Sequence, residues 1–263
     1  MSRVRFSNAG SHPHTIHFHG THPPGMDGVF PIVEPGQRFT YEFPAKPFGV
    51  HPYHCHAIPL KRHIHKGLYG TLIVDPPGGR PPARELVMVM NGFDTNFDGE
   101  NEVYAVNTAA FYYQTHPIRV GVGEPVRIYL VNLTEFDPIN SLHLHAGMFR
   151  YYRTGTRPDQ YELTDTIMLC QGERGIVELR LDELHRCGAA PRGGRRRPGS
   201  SVCLSRHLPR PLPLPPRSRR PGTADAVCSS ASLLFSCSGS SWPCSCSRTR
   251  LACFGRASRH SRS

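Results

Sequence analysis

The chain of 263 residues carries 31 Lys+Arg against 20 Asp+Glu, and a basic balance ordinarily raises nucleic acid or an anionic membrane as partner. The charge is uneven: residues 1–183 hold 16 Lys+Arg and 19 Asp+Glu, whereas residues 184–263 hold 15 Arg and one Asp. The part with a folded composition is therefore mildly acidic, which discounts nucleic acid. No apolar run has the length of a membrane-spanning helix, and two isolated cysteines in the body, Cys55 and Cys170, make no disulfide framework.

At the start, Met1 to Gly10 contain no apolar signal core, and Val4-Arg5-Phe6 already reads as a strand. The expectation is a chain that begins inside a domain, with a leader and one or more first strands missing. His12-Pro13-His14-Thr15-Ile16-His17-Phe18-His19-Gly20 follows. On a strand, His17 and His19 share one face, and His14, at an odd interval, can turn to a separate site. Phe39 to Phe43 and Gly70 to Asp75 are further strands, separated by Pro-Pro-Gly, Glu-Pro-Gly and Pro-Ala-Lys-Pro punctuation. Between them lies Tyr53-His54-Cys55-His56, then His63, His65 and Leu68. A thiolate between two imidazoles suits a soft transition metal, copper above all. Neighbours on a strand point opposite ways, so Cys55 can bind one centre while His54 and His56 face another.

Pro76 to Pro82 is a stiff polar linker, which sets the expected division: a domain over 1–76, a linker over 77–84, a second domain over 85–183 and a tail over 184–263. The second domain repeats the first. Val4 to Asn8 followed by His17-Phe18-His19 matches Val126 to Asn132 followed by His143-Leu144-His145, and Pro35-Gly36-Gln37-Arg38 matches Gln171-Gly172-Glu173-Arg174. Taken alone, His143 and His145 are two polar positions on a strand; their place in the repeat makes them candidates. The repeat also calls for a second His-x-His after Arg174, and none is there. From Leu184 on, the chain lacks Lys, Glu, Ile, Met, Asn, Gln and Tyr. That bias fits ordinary disorder poorly, and the expectation is a tail that is disordered or read out of frame from a GC-rich gene.

These two histidine motifs, His-Pro-His-Thr-Ile-His-Phe-His-Gly and His-Cys-His with His63 and Leu68 behind it, resemble those of the multicopper oxidases, most closely the two-domain, laccase-like members. The resemblance implies an all-β fold of two cupredoxin-like Greek-key sandwiches. It implies a type 1 copper held by His14, Cys55 and His63, with Leu68 at the non-coordinating axial position and His65 a weaker competitor for His63. It also implies a trinuclear cluster with His17 and His143 at the type 2 copper and His19, His54, His56 and His145 at the type 3 pair, six of the family's eight histidines. Asp27 matches an acid that relatives use to deliver protons; the plainer reading is a turn aspartate. His12, His22, His51 and His116 have no motif role and are expected in loops or behind ligands. The implied reaction takes single electrons from a small reducing substrate and reduces O2 to water, in a homotrimer whose clusters form between subunits, in the periplasm or outside the cell.

Two rival readings remain. Copper nitrite reductases share the type 1 site, but that family has an aspartate where this chain has His17 and an apolar residue where it has His56. A non-catalytic cupredoxin carrier needs only His14, Cys55 and His63. Zinc-finger binding is disfavoured because the paired Cys-x2-Cys spacing is absent from the body.

Overall fold

The computed structural model describes residues 1–181 apart from 138 and 146, together with the backbone of Ser201–Cys203, Asp225–Cys228 and Thr249–Phe254. The architecture is all-β, 46% strand and 6% helix, and of the cupredoxin type.

The internal repeat is present in hydrogen bonds. Ser2–Ser7 pairs antiparallel with Arg38–Phe43, and Pro125–Asn132 pairs antiparallel with Arg174–Arg180. The Asn8 amide donates to Gln37 O at 3.0 Å and the Asn132 amide to Glu173 O at 2.9 Å, while Gly36 and Gly172 each donate to the carbonyl of their own asparagine at 2.8 Å. The asparagine side chains repeat as well, Asn8 Nδ2 donating to Val33 O and Asn132 Nδ2 to Leu169 O. His14 bridges Val33 where Asn140 pairs with Leu169. The second copy therefore has an amide where the first has an imidazole.

The largest sheet of the C-terminal half has seven strands, in the order Glu162–Thr164, Phe149–Arg153, Arg174–Arg180, Pro125–Asn132, Arg84–Phe93, Val103–Val106, Ala109–Ala110, and Ile139–His143 pairs with Thr166–Cys170 in another. Its two central strands run parallel and are buried along nearly their whole length, as a strand covered on both faces must be. Leu86, Met88, Met90, Ile128 and Leu130 turn into the core of that half, while Val87, Val89, Tyr129 and Val131 turn the other way. There they meet Val50, Ile64, Tyr69 and Ile73 of the N-terminal half in a shared core of 11 buried side chains. Each fully buried aliphatic side chain contributes about 1.5–3 kcal/mol, so the seam is a packed join and not a hinge. A third core, around Phe18, Tyr41, Phe43 and Tyr53, belongs to the N-terminal half alone.

The proline-rich segment between the halves is pinned in place. Arg80 Nη2 donates to Gly155 O at 3.2 Å, and Arg127 Nη2 donates to Pro81 O at 3.0 Å. Arg127, 3% exposed, also meets Glu178 at 2.7 Å and Glu85 at 3.2 Å. Most of the 184–263 tail lies outside the described residues. The three stretches described there pair with strands of the body: Ser201–Cys203 with Ile139–His143, Asp225–Cys228 with Ile118–Gly121, and Thr249–Phe254 with Tyr69–Val74.

Candidate metal centre

Strand Gly49–His54 is buried throughout and hydrogen-bonded on both sides, to Tyr69–Val74 and to His17–Phe18. Cys55 follows directly, 4% exposed. Its amide donates to Leu68 O at 2.9 Å, and the Leu68 amide donates to His63 O at 3.1 Å, so the backbone at Leu68 ties the two ends of this loop together. Cys55 Sγ lies 3.0 Å from His63 Nδ1 and 3.5 Å from His14 Nδ1, with the two rings 4.9 Å apart. A thiol and two imidazole nitrogens converge on one point.

His63 is carried by helix Leu60–His65, which begins five residues after the cysteine. The helix separates His63 from His65, which the sequence left in competition: residues two apart on a helix diverge. His63 turns to Cys55, and His65 turns to Phe136 of the C-terminal half, ring to ring at 5.6 Å.

The second group lies across the strand from Cys55. His54 and His56 stack with centroids 6.1 Å apart, and His17 sits 5.2 and 5.3 Å from them. His19 is 5.1 Å from His17, and its Nε2 is 3.2 Å from His54 Nε2. Ligand atoms of His17, His19 and His54 all fall within 4.8 Å of one another.

Backbone carbonyls set the tautomers. His54 Nδ1–H donates to Cys55 O at 3.0 Å and His17 Nδ1–H donates to Asp27 O at 2.8 Å, which leaves the Nε2 lone pair of each ring for a metal. Burial, followed by neighbouring His54, His17 and Arg174, pushes His19 down to about 3. Burial is also the leading cause lowering His54, His14 and His63. Rings held neutral with their nitrogens converging are what a metal requires of imidazole, so both groups fit copper.

The turn that carries Asp27 is locked against His17. Gly28 has φ +81, and a Cβ there would stand 1.7 Å from Ile16 O, so only glycine allows this approach. The Asp27 carboxylate reaches His17 Nδ1 at 3.5 Å and His22 Nε2 at 3.4 Å, beside an open surface depression lined by Gly20, Thr21, His22, Pro24 and Asp27. Two of the four histidines without a motif role stand here. His22 Nε2–H donates to Phe18 O at 2.6 Å; buried His51 donates from Nε2 to Pro47 O at 2.9 Å and lies under Gly20. His12 and His116 are exposed.

His143 and His145 form a pair of their own, rings 4.7 Å apart, with His143 Nδ1 2.7 Å from Thr166 Oγ1. Among the described residues, neither ring belongs to the group formed by His17, His19 and His54 of its own chain. Leu68, 36% exposed, holds the loop through its backbone.

Two patterns described as multicopper oxidase match consecutive stretches, residues 2–79 and 80–186. The chain belongs to the multicopper oxidase family. Multicopper oxidases are copper oxidoreductases, which agrees with the donor sets above. This family member is similar to a crystal structure described as a multicopper oxidase, at 54% identity and TM-score 0.66, covering 69% of this chain and 65% of that one. It is also similar to a copper nitrite reductase structure from Nitrosomonas europaea, at 27% identity and TM-score 0.61, covering 69% and 70%. Among curated proteins it is 28% identical over 201 residues to the copper-containing nitrite reductase of Neisseria meningitidis serogroup B, covering 68% of this chain and 51% of that protein. The chain thus spans about half the length of that relative.

Proposed function

We propose that this chain is a laccase-like oxidase. A small reducing substrate, a phenol or a metal ion, gives up single electrons at the type 1 group His14, Cys55 and His63. Dioxygen goes to water at a cluster to which His17 contributes as a type 2 ligand and His19, His54 and His56 as type 3 ligands. Copper, when bound, supplies one-electron redox chemistry at the first group and dioxygen reduction at the second.

The observation that carries this reading is the sharing of three consecutive residues between two centres. Cys55 turns its sulfur to His14 and His63, while His54 and His56 stack on the other side against His17. One residue in either direction is then the whole through-bond distance between the groups. The Cys55 and Asp27 carbonyls hold His54 and His17 by Nδ1, orienting both rings toward the cluster. At the first group His14, Cys55 and His63 would hold the copper, and the Leu68 side chain, which carries no donor atom, would not. The Asp27 carboxylate stands between His17, His22 and the surface depression, in place to relay a proton inward during dioxygen reduction.

His143 and His145 join the cluster from another subunit and bring it to six of the family's eight histidines, which makes a homotrimer the assembly of choice. Their pairing with each other, and not with His17, His19 or His54 among the described residues, supports this. A periplasmic or secreted setting goes with the same reading. Nitrite reduction is the rival that the similarity to nitrite reductases raises. Imidazoles at both His17 and His56, 5.3 Å apart and facing one cluster, favour dioxygen.

Copper counting on the purified full chain, with dioxygen uptake measured against a phenol and nitrite consumption measured in parallel, tests the proposal. About four copper ions per chain with dioxygen uptake and no nitrite loss is expected. A single copper with a visible band and no uptake would make the chain an electron carrier, and nitrite consumption would make it a reductase.

A further inference from the structure

We infer that Arg174, on a strand of the C-terminal half, is a positioning residue for the copper-binding histidines of the N-terminal half. It anchors the start of the strand that leads to His54, Cys55 and His56, and it ends a turn that covers His19. The inference rests on reading those histidines as copper ligands.

Three hydrogen bonds close a ring across the seam. Arg174 Nε donates to Val50 O at 3.1 Å, the Val50 amide donates to Thr154 O at 2.9 Å, and the Thr154 amide donates to Arg174 O at 3.0 Å. Val50 is fully buried in the shared core, four residues before His54 on the same strand. Both backbone polar groups of Val50 are therefore satisfied from the opposite half, and a buried amide or carbonyl left without its partner is costly. The start of the strand is thus held from outside its own sheet as well as by its neighbours within it.

The same turn touches the cluster. Gly172, at φ +78, lies so close that a Cβ on it would be 3.7 Å from His19 Cε1.

The internal repeat sharpens the point. Arg38 occupies the matching position in the first copy, after a glycine of nearly the same φ and the same asparagine bonds, yet Arg38 is exposed. Repeat geometry alone does not call for a guanidinium turned into a seam. At Arg174 the seam does, because the ligand strand lies on its other side.

Arg174→Met keeps most of the side-chain stem and removes both the donor and the charge; Arg174→Lys keeps the charge but lacks the Nε donor. Two readouts on the full chain decide. The first is acylation of each histidine in the metal-free protein, read by mass spectrometry, with exposed His12 as internal reference. The second is copper titration, following the visible band separately from the remaining copper. Arg174→Met is expected to raise His19 acylation relative to His12 and to weaken copper binding outside the visible band about 10–100-fold, with the band retained. Arg174→Lys is expected to show the same changes, smaller. Unchanged His19 acylation in a folded Arg174→Met protein overturns the inference, as does equal loss of both kinds of copper. Should Arg174→Met fail to fold, unchanged acylation in Arg174→Lys overturns it. The acylation readout uses no copper, so failure of the oxidase reading leaves this test standing.

Discussion

Gly28→Ala probes how tightly the Asp27 turn is held against the metal centre. A methyl group at residue 28 would lie 1.7 Å from Ile16 O, where real contacts of this kind stay beyond 3.0 Å. The turn must retreat by more than 1 Å or the Ile16 carbonyl must move, and the bond from His17 Nδ1 to Asp27 O, 2.8 Å long, would open. Placing an L side chain at φ +81 costs about 1–2 kcal/mol, and relieving an overpacked contact costs about 1–3 kcal/mol more. Together these predict a loss of about 2–5 kcal/mol, measured as the shift in urea midpoint of the metal-free chain at constant slope. Copper binding outside the visible band should weaken as well, because His17 loses the partner that fixes its tautomer, while the band from the Cys55 group remains. A variant within about 0.5 kcal/mol of the parent, the range of an ordinary surface change, would show that the turn does not brace His17.

Asp27→Asn should leave the visible band intact and lower dioxygen turnover about 100-fold or more, the lower bound for losing a positioned proton donor; undiminished turnover would reduce Asp27 to a turn residue. The metal-free chain should lose stability as pH falls. His19 is held down to about 3 in the fold against 6.5 when unfolded, so the unfolded chain binds more protons between those values and stability drops through that window on acidification. The slope is at most about 1.4 kcal/mol per pH unit for each such imidazole. His19→Gln should flatten the profile, and an unchanged slope would contradict the assignment. Arg127→Met leaves Glu178 and Glu85 facing each other without their cation and should cost about 3–5 kcal/mol in urea unfolding; a loss under 1 kcal/mol would mean that solvent screens the pair.

The two groupings of side chains were legible because alternation along an extended chain is a local rule. Spacings of one and two residues around Cys55 and through His17 to His19 fix faces without any tertiary knowledge, and the rings lie where that rule puts them. The repeat was legible for a similar reason, since Pro35 to Arg38 and Gln171 to Arg174 encode the same turn and the same asparagine bonds. Helix Leu60–His65 was not. Six residues with no capping side chain carry little helical signal, yet the helix decides His63 over His65. Arg174 was missed as a working residue because its contact crosses a long stretch of sequence. Arg174 meets Val50 over 124 positions, and no periodicity reports a contact of that kind.

Replacing the Cys55 sulfur by oxygen tests the central claim most directly: in Cys55→Ser, copper and the visible spectrum are measured together on the full chain. The account predicts that the visible band disappears with the copper at His14 and His63, while copper held by His17, His19, His54 and His56 stays bound. An unchanged band and an unchanged copper content would contradict it.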